Sequence, residues 1–114
     1  MKHDLLFHLV SRRRFKERQK SGYYYPAEDA ENPVIVCYTA DQVAEAANRH
    51  FKGRKTILML VINSRRIAGK VTFTPVEGEE YPLIEKRLNL DAIIDKIRLE
   101  PDEEGLFDIR IEER

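Results

Sequence analysis

An α+β domain, built on a mixed or antiparallel sheet with two short helices, is what this sequence predicts. Three observations predict it. Short apolar or alternating runs of strand length recur at residues 5–10, 34–37, 56–62, 71–74 and 107–111. Two stretches, behind Ser11 and behind Thr39, combine a hydroxyl cap, helical spacing and a following glycine. No internal repeat, heptad or low-complexity segment competes with that pattern, so residues 1–114 read as one domain with more strand than helix.

The stretch 33–51 organises the rest. Val34, Ile35, Val36 and Cys37 form an apolar run behind Pro33, which suits a buried strand. Thr39 then offers a hydroxyl cap and Gln42 follows three residues later, the spacing of a capping box. Val43, Ala46, Ala47, His50 and Phe51 recur on one side of a 3.6-residue period, and Gly53 supplies the stop. The strand end and helix start, residues 37–42, are therefore the expected pocket wall.

The other elements follow in order. Residues 5–10 read as a first strand carrying His8. Ser11 caps a helix running to about Lys20, anchored by Phe15 and closed by Gly22. Arg12, Arg13 and Arg14 on it read either as a solvated face or as a phosphate-binding edge. Tyr23, Tyr24 and Tyr25 should be irregular or extended, with at least one ring pointing inward, and the acidic segment to Pro33 reads as a loop and a possible lid. Residues 56–62 are apolar on both sides, as the middle strand of a sheet is. Ile67 plugs the polar connection behind it; 71–74 is a strand, 75–80 a turn, and 81–84 a brief apolar return. Residues 90–97 admit a short helix or a strand, and 107–111 alternate as a hairpin return or edge strand.

Composition limits the function classes. Lys plus Arg and Asp plus Glu each total 20, so net charge is zero and nothing global favours nucleic acid or an anionic membrane. Cys37 is the single cysteine, which excludes an internal disulfide framework and a multi-cysteine zinc site. No apolar run reaches the length of a membrane span, and no secretory signal pattern opens the chain; a soluble cytoplasmic protein is the expectation. There is no GxGxxG, Walker loop, HExxH or CxxC, and His3, His8 and His50 are too scattered to suggest a metal. His3 reads as a solvent-facing terminal residue and His50 as a helix-end residue. Cys37 reads as a small buried hydrophobe rather than a nucleophile. Residues 52–55 and Arg65–Arg66 are further scattered positive groups able to contact phosphate.

His8, Phe15 and Gly22-Tyr23-Tyr24, followed by Cys37, Thr39, Gln42-Val43, Ala47-Asn48 and Phe51, resemble the pattern of the DUF952 family. The likeness runs over about residues 5 to 99, with Tyr81-Pro82-Leu83-Ile84-Glu85-Lys86 on a later family motif and Leu90-Asp91-Ala92-Ile93 continuing it. It departs at polar hallmarks: Val36 and Leu83 stand where the family has histidine, Thr74 where it has glutamate, and Glu85 where it has tyrosine. The family is regarded as similar in fold to ADP-ribosyltransferases, which implies an ADP-ribosyltransferase-like domain with an NAD-type cleft. His8, Thr39, Gln42 and Glu85 are the residues this resemblance would place on the ligand. ADP-ribosyl transfer needs a carboxylate that Thr74 cannot supply, and Val36 and Leu83 offer no side-chain hydrogen bond. Glu85 or Glu77 is the candidate replacement. The expected function is thus a non-catalytic or repurposed cleft-binding module without a resident cofactor, taking a nucleotide-like small molecule or a protein partner. An active NAD-dependent ADP-ribosyltransferase or NAD glycohydrolase is the alternative, and an RNA-associated protein using the arginine runs is the third reading.

Overall fold

The chain is described from a computed structural model covering residues 4–26, 33–76 and 78–111. In chain order its elements are β1 (Leu5–Val10), α1 (Arg12–Glu17), β2 (Gln19–Lys20), β3 (Tyr23–Tyr24), β4 (Val34–Val36), α2 (Val43–His50) and β5 (Ile57–Asn63). A 3-10 turn (Ser64–Arg66), β6 (Val71–Val76), β7 (Glu79–Glu85), β8 (Leu88–Asn89), a second 3-10 turn (Leu90–Ala92) and β9 (Ile93–Leu99) follow. The strands form three sheets of three, ordered β1-β5-β9, β2-β3-β8 and β4-β7-β6. Every pairing is antiparallel. The fold is a small α+β domain with two helices.

β5 is the middle strand its two-sided apolar sequence predicts. Leu58, Leu60 and Ile62 face one core with Leu6, Val10, Phe15, Tyr24, Ile35 and Ile84. Ile57, Met59 and Val61 face the other with Phe7, Leu9, Tyr38, Val43, Ala46 and Ala47. Alternation along a strand sends neighbouring residues to opposite faces, so one strand serves both cores. His8 shares its parity with Leu6 and Val10 and therefore lies on the first of these faces.

Several boundaries differ from the sequence reading. α1 stops at Glu17 rather than near Lys20, because Gln19 and Lys20 pair with Tyr24 and Tyr23. Ser21 (φ 53°) and Gly22 (φ 84°) make the two-residue link, and successive positive φ values match the twist of a tight hairpin. Tyr24 is the tyrosine that turns inward, at 1% exposure. α2 begins at Val43, since the Gln42 and Val43 amides both donate to the Thr39 carbonyl and hold 39–42 as a turn. Half of the expected capping box is present: Gln42 Oε1 accepts the Thr39 N–H at 3.1 Å, whereas the expected Thr39 hydroxyl cap is not made, because the turn moves the helix start to Val43. His50, expected on the apolar side, is exposed.

β4 is an edge strand rather than a fully buried one, pairing only with β7 and leaving Val36 37% exposed. Most of the expected turn 75–80 is strand, because Pro75 and Val76 pair with Glu80 and Glu79. Pro75 is tolerated there because β6 is itself an edge. Residues 90–97 divide between the second 3-10 turn and β9, and Ile67 packs against the first core. Residues 107–111 form no strand; Phe107 is buried and clasped by Asn48, whose Oδ1 accepts its N–H at 2.7 Å and whose Nδ2 donates to its carbonyl at 3.0 Å. One side-chain amide thus replaces the ladder that the alternation suggested. His3, the acidic loop 27–32 and Glu77 lie outside the described residues. Among the described residues no helix is long and apolar enough to cross a membrane.

Candidate functional site

His8 is carried by β1 into the corner between the edge of the first sheet and the β2–β3 hairpin. Its Nδ1 lies 2.7 Å from the Val36 carbonyl and its Nε2 2.9 Å from the Tyr24 hydroxyl. A carbonyl only accepts, so Nδ1 carries the proton and Nε2 accepts from the Tyr24 O–H. Burial pulls the His8 pKa down to about 4, against a weaker upward pull from the Val36 hydrogen bond, so the ring is neutral near pH 7. Burial pushes the Tyr24 hydroxyl up to about 12, against a downward pull from the nearby Arg18 charge, and so keeps it a donor. The Tyr24 ring is further packed by His8 (centroids 5.4 Å apart) and Phe15 (5.3 Å). Both His8 nitrogens are thus spent on tying three segments together: β1, β3 and β4. A ribose hydroxyl could reach this histidine only by displacing one of those partners.

Beside this pair opens a shallow cavity of about 120 Å³, lined by His8, Ser11, Arg14, Arg18, Tyr24, Phe51 and Arg54 among others. Its guanidiniums come from α1, from the cap residue that ends α1 and from the turn behind α2. Among the described residues no Asp or Glu lines it. The sequence reading had flagged the runs containing Arg14 and Arg54 as possible phosphate contacts, but separately. It missed Arg18 and Tyr24 because nothing in a linear pattern shows that the β2–β3 hairpin folds back over β1.

The other sequence-predicted site residues do not join His8. Thr39 is buried and serves the turn before α2, while Gln42 spends its side chain on Thr39 N–H and on the Glu80 carbonyl at 2.8 Å. Cys37 and Tyr38 are buried too, so residues 37–39 of the expected wall are interior, while Ala40 and Gln42 are half-buried and Asp41 is exposed. Cys37 is fully buried and burial pushes its thiol up, which removes thiolate chemistry from it. Glu85, on β7, accepts from the Thr72 hydroxyl at 2.8 Å and faces a different hollow with Tyr23, Lys70 and Arg87. Val36 and Leu83 sit opposite each other across β4 and β7. Among the described residues no group of three or more His, Cys, Asp or Glu is placed to hold a metal.

A family model described as "Protein of unknown function (DUF952)" matches residues 9–96, well over half the chain. The chain belongs to this family. The crystal structure of CC0527 from Caulobacter crescentus is similar to this DUF952 protein with a TM-score of 0.77 at 16% identity, over 91% of this chain and 93% of that one. The solution NMR structure of CC0527 gives 0.76 at 17% identity, over 90% of each chain. At such identity the likeness is one of fold alone, and that fold is the small α+β domain described above. No curated protein matches the sequence. The expected likeness to ADP-ribosyltransferases does not rest on these neighbours.

Proposed function

We propose that this DUF952 protein is a divergent, non-catalytic binding module that takes a nucleotide-like small molecule at the corner beside His8 and Tyr24. One observation carries the reading: the ring expected to hold a ribose already has both nitrogens occupied, and no carboxylate of the described residues lines the cavity next to it. Leaving-group departure from a ribose builds positive charge at the anomeric carbon, and a cavity lined by arginines opposes that charge. Glu85, the candidate replacement, is engaged by Thr72 on another sheet. Positive, neutral-walled and shallow, the corner favours holding an anion over turning one over. A fully buried free thiol suits a reducing cytoplasm as the setting.

The test pairs turnover with binding. Incubation with NAD is expected to release no nicotinamide above buffer, while AMP or ADP-ribose is expected to shift amide resonances of Ser11, Tyr24 and Arg54. NAD consumption that disappears in a His8→Ala variant would overturn the proposal in favour of an ADP-ribosyltransferase or glycohydrolase. A protein partner on the exposed Val36 and its neighbour Leu83 is the second reading, favoured by the loss of polarity there.

A further inference from the structure

We infer that the cavity of Ser11, Arg14, Arg18 and Arg54 is a phosphate-anchoring site that takes the terminal phosphate of a monoester. This rests on the binding-module reading and names its ligand class.

The charge arrangement is the first argument. Arg13, Arg49, Arg65, Arg98 and Arg110 each have a carboxylate within ion-pair distance. Arg14, Arg18 and Arg54 have none among the described residues. Three arginines therefore line one concavity, and no carboxylate of the described residues lines it with them. Their mutual repulsion is relieved by an anion, and the gain grows with the anion's charge.

The second argument is donor chemistry. Each guanidinium presents a planar fork that matches two phosphate oxygens, as an ammonium does not. Ser11 Oγ accepts the Arg14 amide at 3.2 Å, which leaves its own O–H available as a further donor. His8 and Tyr24 are committed to each other and to Val36, so they act as a fixed wall and do not compete for the anion.

Size selects among phosphates. About 120 Å³ admits one tetrahedral oxyanion but not a sugar and base, so the remainder of the ligand lies outside. A diester has substituents on both sides and one negative charge; a monoester has one substituent and carries close to two charges near pH 7. The cavity therefore fits a terminal monoester better than an internal nucleic-acid phosphate.

The experiment is a titration of labelled protein, followed by amide shifts, with inorganic phosphate, a nucleoside 5′-monophosphate and the matching nucleoside, at ionic strength held constant with chloride. Saturable shifts at Ser11, Arg14 and Arg54 are expected with phosphate and the monophosphate and not with the nucleoside. Arg14→Gln and Arg54→Gln should each weaken phosphate binding by about tenfold or more, the loss of a charge-assisted contact. Arg13→Gln, whose partner is Glu17, should change it less than about twofold. Both cavity arginines are exposed, so the variants are expected to fold, and an unchanged amide spectrum away from the site checks that. Equal binding of nucleoside and monophosphate would overturn the phosphate inference while keeping the binding-module reading. Phosphate binding no tighter when a nucleoside is attached would keep the site and remove the nucleotide. Absent saturation, or equal losses in Arg13→Gln and Arg14→Gln, would overturn the site itself.

Discussion

At the scale of single residues His8 is the most informative side chain. Its folded pKa of about 4 lies below the ordinary 6.5, so between those values the unfolded chain binds the extra proton. The stabilising contribution is complete above about pH 6.5 and is lost as pH falls toward 4. Its ceiling is about 3 kcal/mol. Urea melts at pH 7 and pH 4.5 should show a smaller stability difference in His8→Gln than in the parent; equal differences would show that His8 is not the group responsible. Cys37 gives a second prediction at this scale. With its thiol buried and its pKa raised, it should react with an aromatic disulfide reagent only as fast as the protein opens. Rapid labelling of the folded protein would contradict that placement.

At the scale of elements the Asn48 clasp does what a strand pair does elsewhere. A side-chain amide offers an acceptor oxygen and two N–H donors; here it satisfies both backbone groups of Phe107 while Nδ2 also donates to the Ala44 carbonyl. Asn48→Ala should cost about 1–3 kcal/mol and abolish slow hydrogen exchange at the Phe107 amide. A protected Phe107 amide in that variant would mean that burial of the ring, not the clasp, holds the segment. The element was misread for a physical reason. Phe107, Ile109 and Ile111 alternate as a strand does, but alternation records only which side is covered. Here the second core does the covering, and no neighbouring strand is required. The Thr39–Gln42 pair was legible because it is local, although the turn it closes delays α2 to Val43.

At the scale of the whole molecule β5 couples the two cores. Leu60 and Met59 are consecutive, both buried, and belong to opposite faces. Each truncation to alanine should cost about 2–5 kcal/mol. Because one strand carries both, each variant should still unfold in a single transition by near-UV and far-UV circular dichroism. Two separated transitions in either variant would show that the cores are independent units. The central position of this strand was legible from its uninterrupted apolar run, since only a strand covered on both faces keeps such a sequence.

By itself the sequence determined the α+β class, the central strand, both helix starts to within a few residues, that one of three tyrosines turns inward, and the family. Each of those depends on periodicity, on caps and turns that act across a few positions, or on a linear pattern. Only the tertiary structure decided the site. It buried residues 37–39 of the expected wall, turned Glu85 toward Thr72, and occupied His8 with Val36 and Tyr24. It also gathered Arg14, Arg18 and Arg54 around one cavity. The physical reason is that hydrogen-bond commitment and convergence of charge depend on which elements fold against one another, and contacts between residues far apart along the chain leave no local period to read.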